Sequence, residues 1–323
     1  MQIDDRIYGP TDIHQPVLIE LINSKPLQRL KGINQAGASK FAIPGKTVTR
    51  YEHSVGVMIL LKKLNATVEE QIAGLLHDTP HTAFSHVIDF VFNDKNHEFH
   101  ERFHEKIIMH SQIPKILKNH KLDVHRILDE HNFPLLERPL PDLCADRVDY
   151  FLRDMVASDG FSEKINKYIS SLIVKDNEIM LSDAATAKRF ALDYLKMDKE
   201  KWSAPIEVAL FQILADAIRM ALDKNILEED DIFRDDDYVY DKLKDSGDKD
   251  ILQKLEMLNP NLKILDNPND YDFHSINKLR YINPKFTEDG CVRRADEFKD
   301  FAVQIDEHKK GIKRGNYVKV VSY

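Results

Sequence analysis

From Ile13 to Asp154 apolar residues recur at intervals of three and four almost without interruption, and a few inward positions in that helical pattern are held by histidine and aspartate. In RYEHSVGVMILLKKL, His53, Val57 and Leu61 stand at i, i+4 and i+8 and share one face, so His53 looks inward. Thr67 with Glu70 three residues on is a capping-box pattern; it opens a helix through Val68, Ile72, Leu75 and Leu76. That helix runs out at His77 and Asp78, because Thr79 and Pro80 disfavour its continuation. LPDLCADRVDYFLRDM reads as a helix entered through Pro141, with Asp146, Tyr150 and Asp154 on one polar stripe and Leu143, Val148, Phe151 and Leu152 making apolar contacts elsewhere. An unpaired buried carboxylate is costly, so Asp78 and Asp146 each require a cation, a proton or strong donors. A divalent metal shared with His53 and His77 would satisfy both.

The remaining bounds are broad. At 323 residues and 37.5 kDa the chain can bury one large core or two modest ones. A formal charge of -8 argues against general affinity for nucleic acid or anionic lipid. Two cysteines, Cys144 in an apparent helix and Cys291 in a late polar stretch, form no disulfide framework and suit a reducing setting. MQIDDRIYGPTDIHQ carries no signal pattern, and no apolar run approaches the roughly 18 residues of a membrane span, so a cytoplasmic protein without a membrane partner is expected.

After Ser162 the pattern changes. SLIVKDNEIML, near 171–181, reads as a hairpin around a KDNE turn. Helices resume over 183–199 and 204–224; LEEDDIFRDDDYVYDKL reads as helical, and NKLRYINPKF and YVKVV as strands. The expected fold class is mostly α, a helical core over 1–225 with the small β-hairpin and a mixed α+β C-terminal part over 226–323, divided by a soft boundary.

Of the 14 histidines, 11 lie between His53 and His131, far more than even scatter would place there. His100, His104, His110, His120, His125 and His131 are interleaved with Glu, Arg and Lys and read as structural or solvated positions. The late cluster Lys309, Lys310, Lys313 and Arg314 lacks interleaved aromatics and reads as a solvated surface, leaving a nucleic-acid partner disfavoured.

The runs TRYEHSVGV, IAGLLHDTPHTAFSH, NHE and ADRVDYFLRD, in that order, resemble the HD-domain metal-dependent phosphohydrolases, and within them the branch containing the deoxynucleoside triphosphate triphosphohydrolases. The likeness runs from about Leu27 to Asp154 and fades through Leu222. It implies an HD-domain helical core, and metal ligation by His53, His77, Asp78 and Asp146. It further implies that His81, His97 and Glu98 are the acid–base and phosphate-contacting group, that Gln35 and Arg50 lie near substrate, and that Arg147, Tyr150 and Asp154 face phosphate, sugar ring and sugar hydroxyl. Homo-oligomers occur among such proteins. Thr79 and Pro80 stand where a hydrophobic residue and glycine are commoner, and Trp202 where a tyrosine is expected. Lys196, Lys199 and Lys201 could add phosphate contacts or be a solvated helix end.

The chemistry expected is hydrolysis of a phosphoester or phosphoanhydride, with a (deoxy)nucleotide as substrate and release of triphosphate from a dNTP as the sharpest version. Mixed nitrogen and oxygen ligation favours Mn, Fe, Co, Ni or Zn over magnesium alone, although magnesium can arrive with the nucleotide. An HD-domain nucleotidase or phosphodiesterase on another ester, and a non-catalytic nucleotide or metal sensor, are the alternatives; His81, His97 and Glu98 speak against the sensor, which would not need them.

Overall fold

The computed structural model describes residues 1–94 and 99–323. A short antiparallel hairpin, β1 (Gln2–Asp5) and β2 (Gly9–Asp12), leads into α1 (Pro16–Ile22), α2 (Lys25–Arg29), α3 (Arg50–Lys63) and α4 (Val68–Leu76). The helix α3 is opened by a reciprocal capping box: Thr49 Oγ1 accepts from the Glu52 amide at 3.1 Å, and Glu52 accepts from the Thr49 amide at 3.0 Å. The box expected at Thr67 is only half made. Thr67 accepts from the Glu70 amide at the start of α4, but the Glu70 carboxylate reaches away to the Leu135 amide, 2.7 Å distant.

Four short helices follow, α5 (Val87–Val91), α6 (His104–Met109), α7 (Ile113–Asn119) and α8 (Val124–Leu128), then the long α9 (Ala145–Asp159). The helix expected to begin at Pro141 starts four residues later, because residues before it are held in an extended turn: the Arg147 guanidinium reaches back to the Asp142 and Arg138 carbonyls at 2.6 and 3.0 Å. Cys144 is therefore the residue before the first turn rather than part of the helix.

Next come α10 (Glu163–Ser171), β3 (Leu172–Lys175), β4 (Glu178–Leu181), α11 (Ala184–Met197) and α12 (Pro205–Asp223). The expected hairpin forms, turning through Asp176 and Asn177 at positive φ, which these residue types tolerate. Beyond it, LEEDDIFRDDDYVYDKL is a 3-10 turn and a separate helix, α13 (Asp236–Asp245), since Asp235 is extended and accepts from the Tyr238 amide as an N-cap. The remaining elements are α14 (Lys249–Met257), β5 (Lys263–Asp266), β6 (Phe273–Ser275), β7 (Lys285–Glu288), β8 (Cys291–Arg294), α15 (Lys299–Arg314) and β9 (Asn316–Ser322). Of NKLRYINPKF only the final residues join a strand, and 277–284 is irregular. The late basic cluster lies on α15 and is partly tied down, Lys309 over the Tyr281 ring and Arg314 to Asp266 at 2.6 Å.

The architecture is mostly helical with small sheets: β1-β2, β3-β4-β7-β8 and β5-β9-β6. Two apolar cores organise it. One gathers α1, α3, α4, α9 and α11 with Phe286 and Phe301; the other packs α12 against α5, α13, α14 and the β5-β9-β6 sheet. Residues on both sides of position 226 therefore contribute to both cores, and β7 pairs parallel to β4 through Leu181 and Phe286. Among the described residues no helix is long and apolar enough to cross a membrane.

Candidate active site

His53 lies in the first turn of α3 and is fully buried. Its Nδ1 is 2.8 Å from Asp149 Oδ2 on α9, and Asp149 accepts from Arg153 Nε at 2.6 Å. Arg153 in turn donates to Asp5 of β1 at 2.7 Å, completing a buried chain of charges behind the imidazole. Gly56, one turn after His53, makes room for this chain: a Cβ there would stand 1.6 Å from Arg153 Nη2. The free edge of His53, Nε2, then faces Asp146 Oδ1 at 2.9 Å and Asp78 Oδ2 at 3.7 Å.

His77 caps the C-terminal end of α4, where the Gly74 carbonyl accepts from its Nδ1 at 2.7 Å. That bond fixes the ring and leaves Nε2 buried, with no hydrogen-bond partner and 3.5 Å from both Asp78 Oδ1 and Asp146 Oδ1. Asp78 is oriented by Arg50 Nη1 at 2.9 Å and faces His81 Nε2 at 3.2 Å. The structure thus brings His53, His77, Asp78 and Asp146 together, and His53, His77 and Asp146 offer donor atoms within 4.8 Å of one another.

The cluster attracts positive charge. Burial opposes a proton on His77, yet Asp78 and Asp146 outweigh it and push the imidazole up to about 10. Burial also disfavours the charged forms of the two carboxylates. Arg50, His77 and His81 nonetheless hold Asp78 well below the usual carboxylate range, and His53 and His77 do so for Asp146. An orphaned imidazole nitrogen beside two ionised carboxylates fits a divalent transition metal, which takes mixed nitrogen and oxygen ligands.

A cavity of about 910 Å³ opens over this cluster. Gln35, Arg50, Arg147, Tyr150 and Asp154, the expected substrate residues, all line it, as does Trp202. Arg50 and Arg147 are committed to the protein itself: Arg50 to Asp78 and Ser85, Arg147 to Glu137 at 2.9 Å and two carbonyls. Asp154 accepts from the Trp202 indole at 2.6 Å, and the Tyr150 hydroxyl bonds to that of Tyr194. Lys196, exposed and 3.8 Å from Glu200, behaves as a solvated helix position, and neither it nor Lys199 nor Lys201 lines the cavity.

The cavity is also lined by His86, His100 and His104. The turn after His81 passes through Phe84 and Ser85 at positive φ, a conformation unusual for phenylalanine; the Phe84 amide donates to Asp236 at 2.7 Å and the Ser85 hydroxyl to the Asn34 carbonyl at 2.8 Å. This delivers His86, whose Nδ1 is 2.8 Å from Asp89 Oδ2. His100 stacks on His81 with ring centroids 3.8 Å apart, and His86, Asp89 and His100 form a second group with donor atoms within 4.8 Å. His100 and His104 are thus cavity residues rather than solvated ones, although both sit in the EFHERFHEK run whose alternating charges suggest a surface. Burial and the nearby Arg50 push His81 down to about 3, so it is neutral near pH 7. Burial likewise raises Glu137, to about 7, with the Asp146 charge adding to the effect. His97 and Glu98 lie outside the described residues.

The HD domain matches residues 50–154, which span α3 to α9 and carry all four clustered side chains. Protein YdhJ of Bacillus subtilis is 38% identical over 99% of both chains. This chain belongs to the HD-domain metal-dependent phosphohydrolases. The metal-dependent phosphohydrolase cns2 of Cordyceps militaris is 38% identical to it over 65% of this chain and 63% of its own. A deoxynucleoside triphosphate triphosphohydrolase, SAMHD1 of Danio rerio, is 37% identical over 28% of this chain, but only 17% of that protein is covered. The crystal structure of a hypothetical protein from Aquifex aeolicus superimposes with a TM-score of 0.69 at 21% identity, covering 94% of this chain and 93% of the other, so the two chains share a fold that includes the C-terminal part.

Proposed function

We propose that this HD-domain enzyme hydrolyses a phosphate bond of a (deoxy)nucleotide, with His53, His77, Asp78 and Asp146 as the metal ligands. The observation that carries the reading is the buried, unpartnered His77 Nε2, set against Asp78 and Asp146 at the floor of a nucleotide-sized cavity. A divalent ion held there would supply Lewis acidity to a phosphoryl oxygen and lower the pKa of water. The chain's own residues supply the rest. Asp149 and Gly74 fix the two imidazoles from behind, and Arg50 holds Asp78 in place. His86, oriented by Asp89, would give a proton to the leaving oxygen, with the neutral His81 ring edge-on beside it. Tyr150 and Trp202 form an aromatic wall, their rings 5.3 Å apart, suited to a nucleoside. Asp154, held by Trp202, is an acceptor for a sugar hydroxyl. The triphosphohydrolase relatives support a dNTP as substrate.

The test is a metal-supplemented screen of ribo- and deoxynucleotides with product analysis, since phosphate, pyrophosphate and triphosphate each report a different bond. The double variant His77→Ala, Asp78→Ala should lose bound metal and hydrolysis while keeping its helical content. Full activity in that variant would refute the metal site.

A further inference from the structure

The cavity lining carries nine carboxylates, Asp78, Asp146 and Glu137 among them, against five lysines and arginines. Such a surface repels a polyphosphate unless uncommitted cations stand where the phosphates lie. Three of the five are already spent. Arg50 is bound to Asp78, Arg147 to Glu137, and Lys46 to Glu207 at 3.0 Å. Among the described lining residues, the lysine and arginine without an ion pair are Lys278 and Arg280.

Both sit on the irregular stretch between β6 and β7, and that stretch is pinned at its two ends. Asn277 Nδ2 donates to the Ser203 carbonyl at 3.2 Å, next to Trp202. At the other end Ile282 is buried in the first core, and the Asn283 amide donates to the Pro141 carbonyl at 2.8 Å, beside the turn gripped by Arg147. The strap therefore runs from the Trp202 side of the cavity to the Arg147 side, with its two cations between. Burial pushes the Tyr150 and Tyr194 hydroxyls up, and Arg280 is close enough for its charge to pull both back. Arg280 and Tyr150 line the same cavity.

We propose that residues 277–283 complete the substrate site, and that Lys278 and Arg280 bind the non-reacting phosphates of a nucleoside polyphosphate. This rests on the nucleotide-hydrolase reading and deepens it. The phosphoryl group at the metal cluster is served by the histidines and the ion; the outer phosphates require charge that Arg50 cannot lend without breaking its buried pair with Asp78, nor Arg147 without leaving Glu137 and two carbonyls. A guanidinium is matched to bidentate phosphate contact, and a lysine supplies a flexible second charge.

The experiment is calorimetric titration of inorganic tripolyphosphate into the full chain as purified, comparing wild type, Lys278→Ala with Arg280→Ala, and Lys196→Ala as a control for simple loss of surface charge. Binding should weaken about tenfold or more in the double variant, as expected for two lost charge-assisted contacts, and change less than about twofold in the control. Equal affinity in wild type and double variant, or no binding to wild type, overturns the proposal. The KM for whichever nucleotide proves to be hydrolysed adds a second arm. An unchanged KM in the double variant removes the subsite and leaves the hydrolase reading intact. Absence of nucleotide hydrolysis together with Lys278- and Arg280-dependent tripolyphosphate binding keeps the subsite and removes that reading.

Discussion

Gly56→Ala adds one methyl group to the middle of α3, where helix propensity alone favours the change by about 1 kcal/mol. The structure reverses that sign. The new Cβ would stand 1.6 Å from Arg153 Nη2 and 2.4 Å from Asp149 Oδ1, two fully buried groups with no room to retreat. Overpacking costs roughly 1–3 kcal/mol, and separating a buried ion pair roughly 3–5 kcal/mol. Since partial relaxation shares these costs, the net loss is expected at about 3–5 kcal/mol. At roughly 2–4 °C per kcal/mol that is a fall of about 10 °C in apparent Tm. The matched control is Gly311→Ala on α15, where a Cβ meets nothing within 4 Å and the propensity gain should survive as a small rise. Differential scanning calorimetry of the two variants against wild type is the assay. A Gly56→Ala Tm within about 2 °C of wild type would falsify the argument that this glycine exists to admit Arg153.

Asp149→Asn should lower metal affinity about 10- to 100-fold, because His53 loses the carboxylate that orients it; competition with a chelator reads this directly. His86→Gln should retain its metal, by elemental analysis, while kcat falls about 10²- to 10⁴-fold; an unchanged kcat removes it from proton transfer. Asp183 caps α11, and although its partial burial works the other way, bonds from Thr186 hold its carboxyl below the ordinary value. Folding therefore favours the ionised form, so the stabilisation is complete above a pH of about 4 and is lost as pH falls through the folded value. Asp183→Ala should cost about 1 kcal/mol at pH 7, with the Tm gap to wild type closing on acidification.

The parts of the cavity that sequence reveals are those whose neighbours obey a helical period. His53 shares a face with Val57 and Leu61, and Asp146 with Tyr150 and Asp154, so their convergence follows from burying α3 and α9 in one core. His77 and Asp78 are marked by Pro80, which keeps α4 from continuing past them. His86, His100 and His104 have no such frame. His86 follows a turn through left-handed Phe84 and Ser85, and His100 and His104 sit in short 3-10 and α segments where periodicity says little and the adjacent charges suggest solvent. The commitments of Arg50 and Arg147 are likewise tertiary: residue type says that each can grip a phosphate, but only the fold shows Asp78 and Glu137 already in its grasp. Residues 277–283 were hidden for the same reason, as their anchors at Ser203 and Pro141 lie far away in the chain.

The parallel pairing of β4 with β7 gives the molecule a schedule. Leu181 meets Phe286 only after about a hundred further residues have been made, which at roughly 5–20 residues per second takes on the order of 5–20 seconds. For that interval a nascent chain already holds His53, His77 and Asp146 but lacks the strand that closes its sheet and the strap that spans its cavity. An exposed strand edge invites other partners during the wait. Synthesis order thus makes the proposed phosphate strap one of the last parts the chain acquires, well after its proposed metal ligands exist.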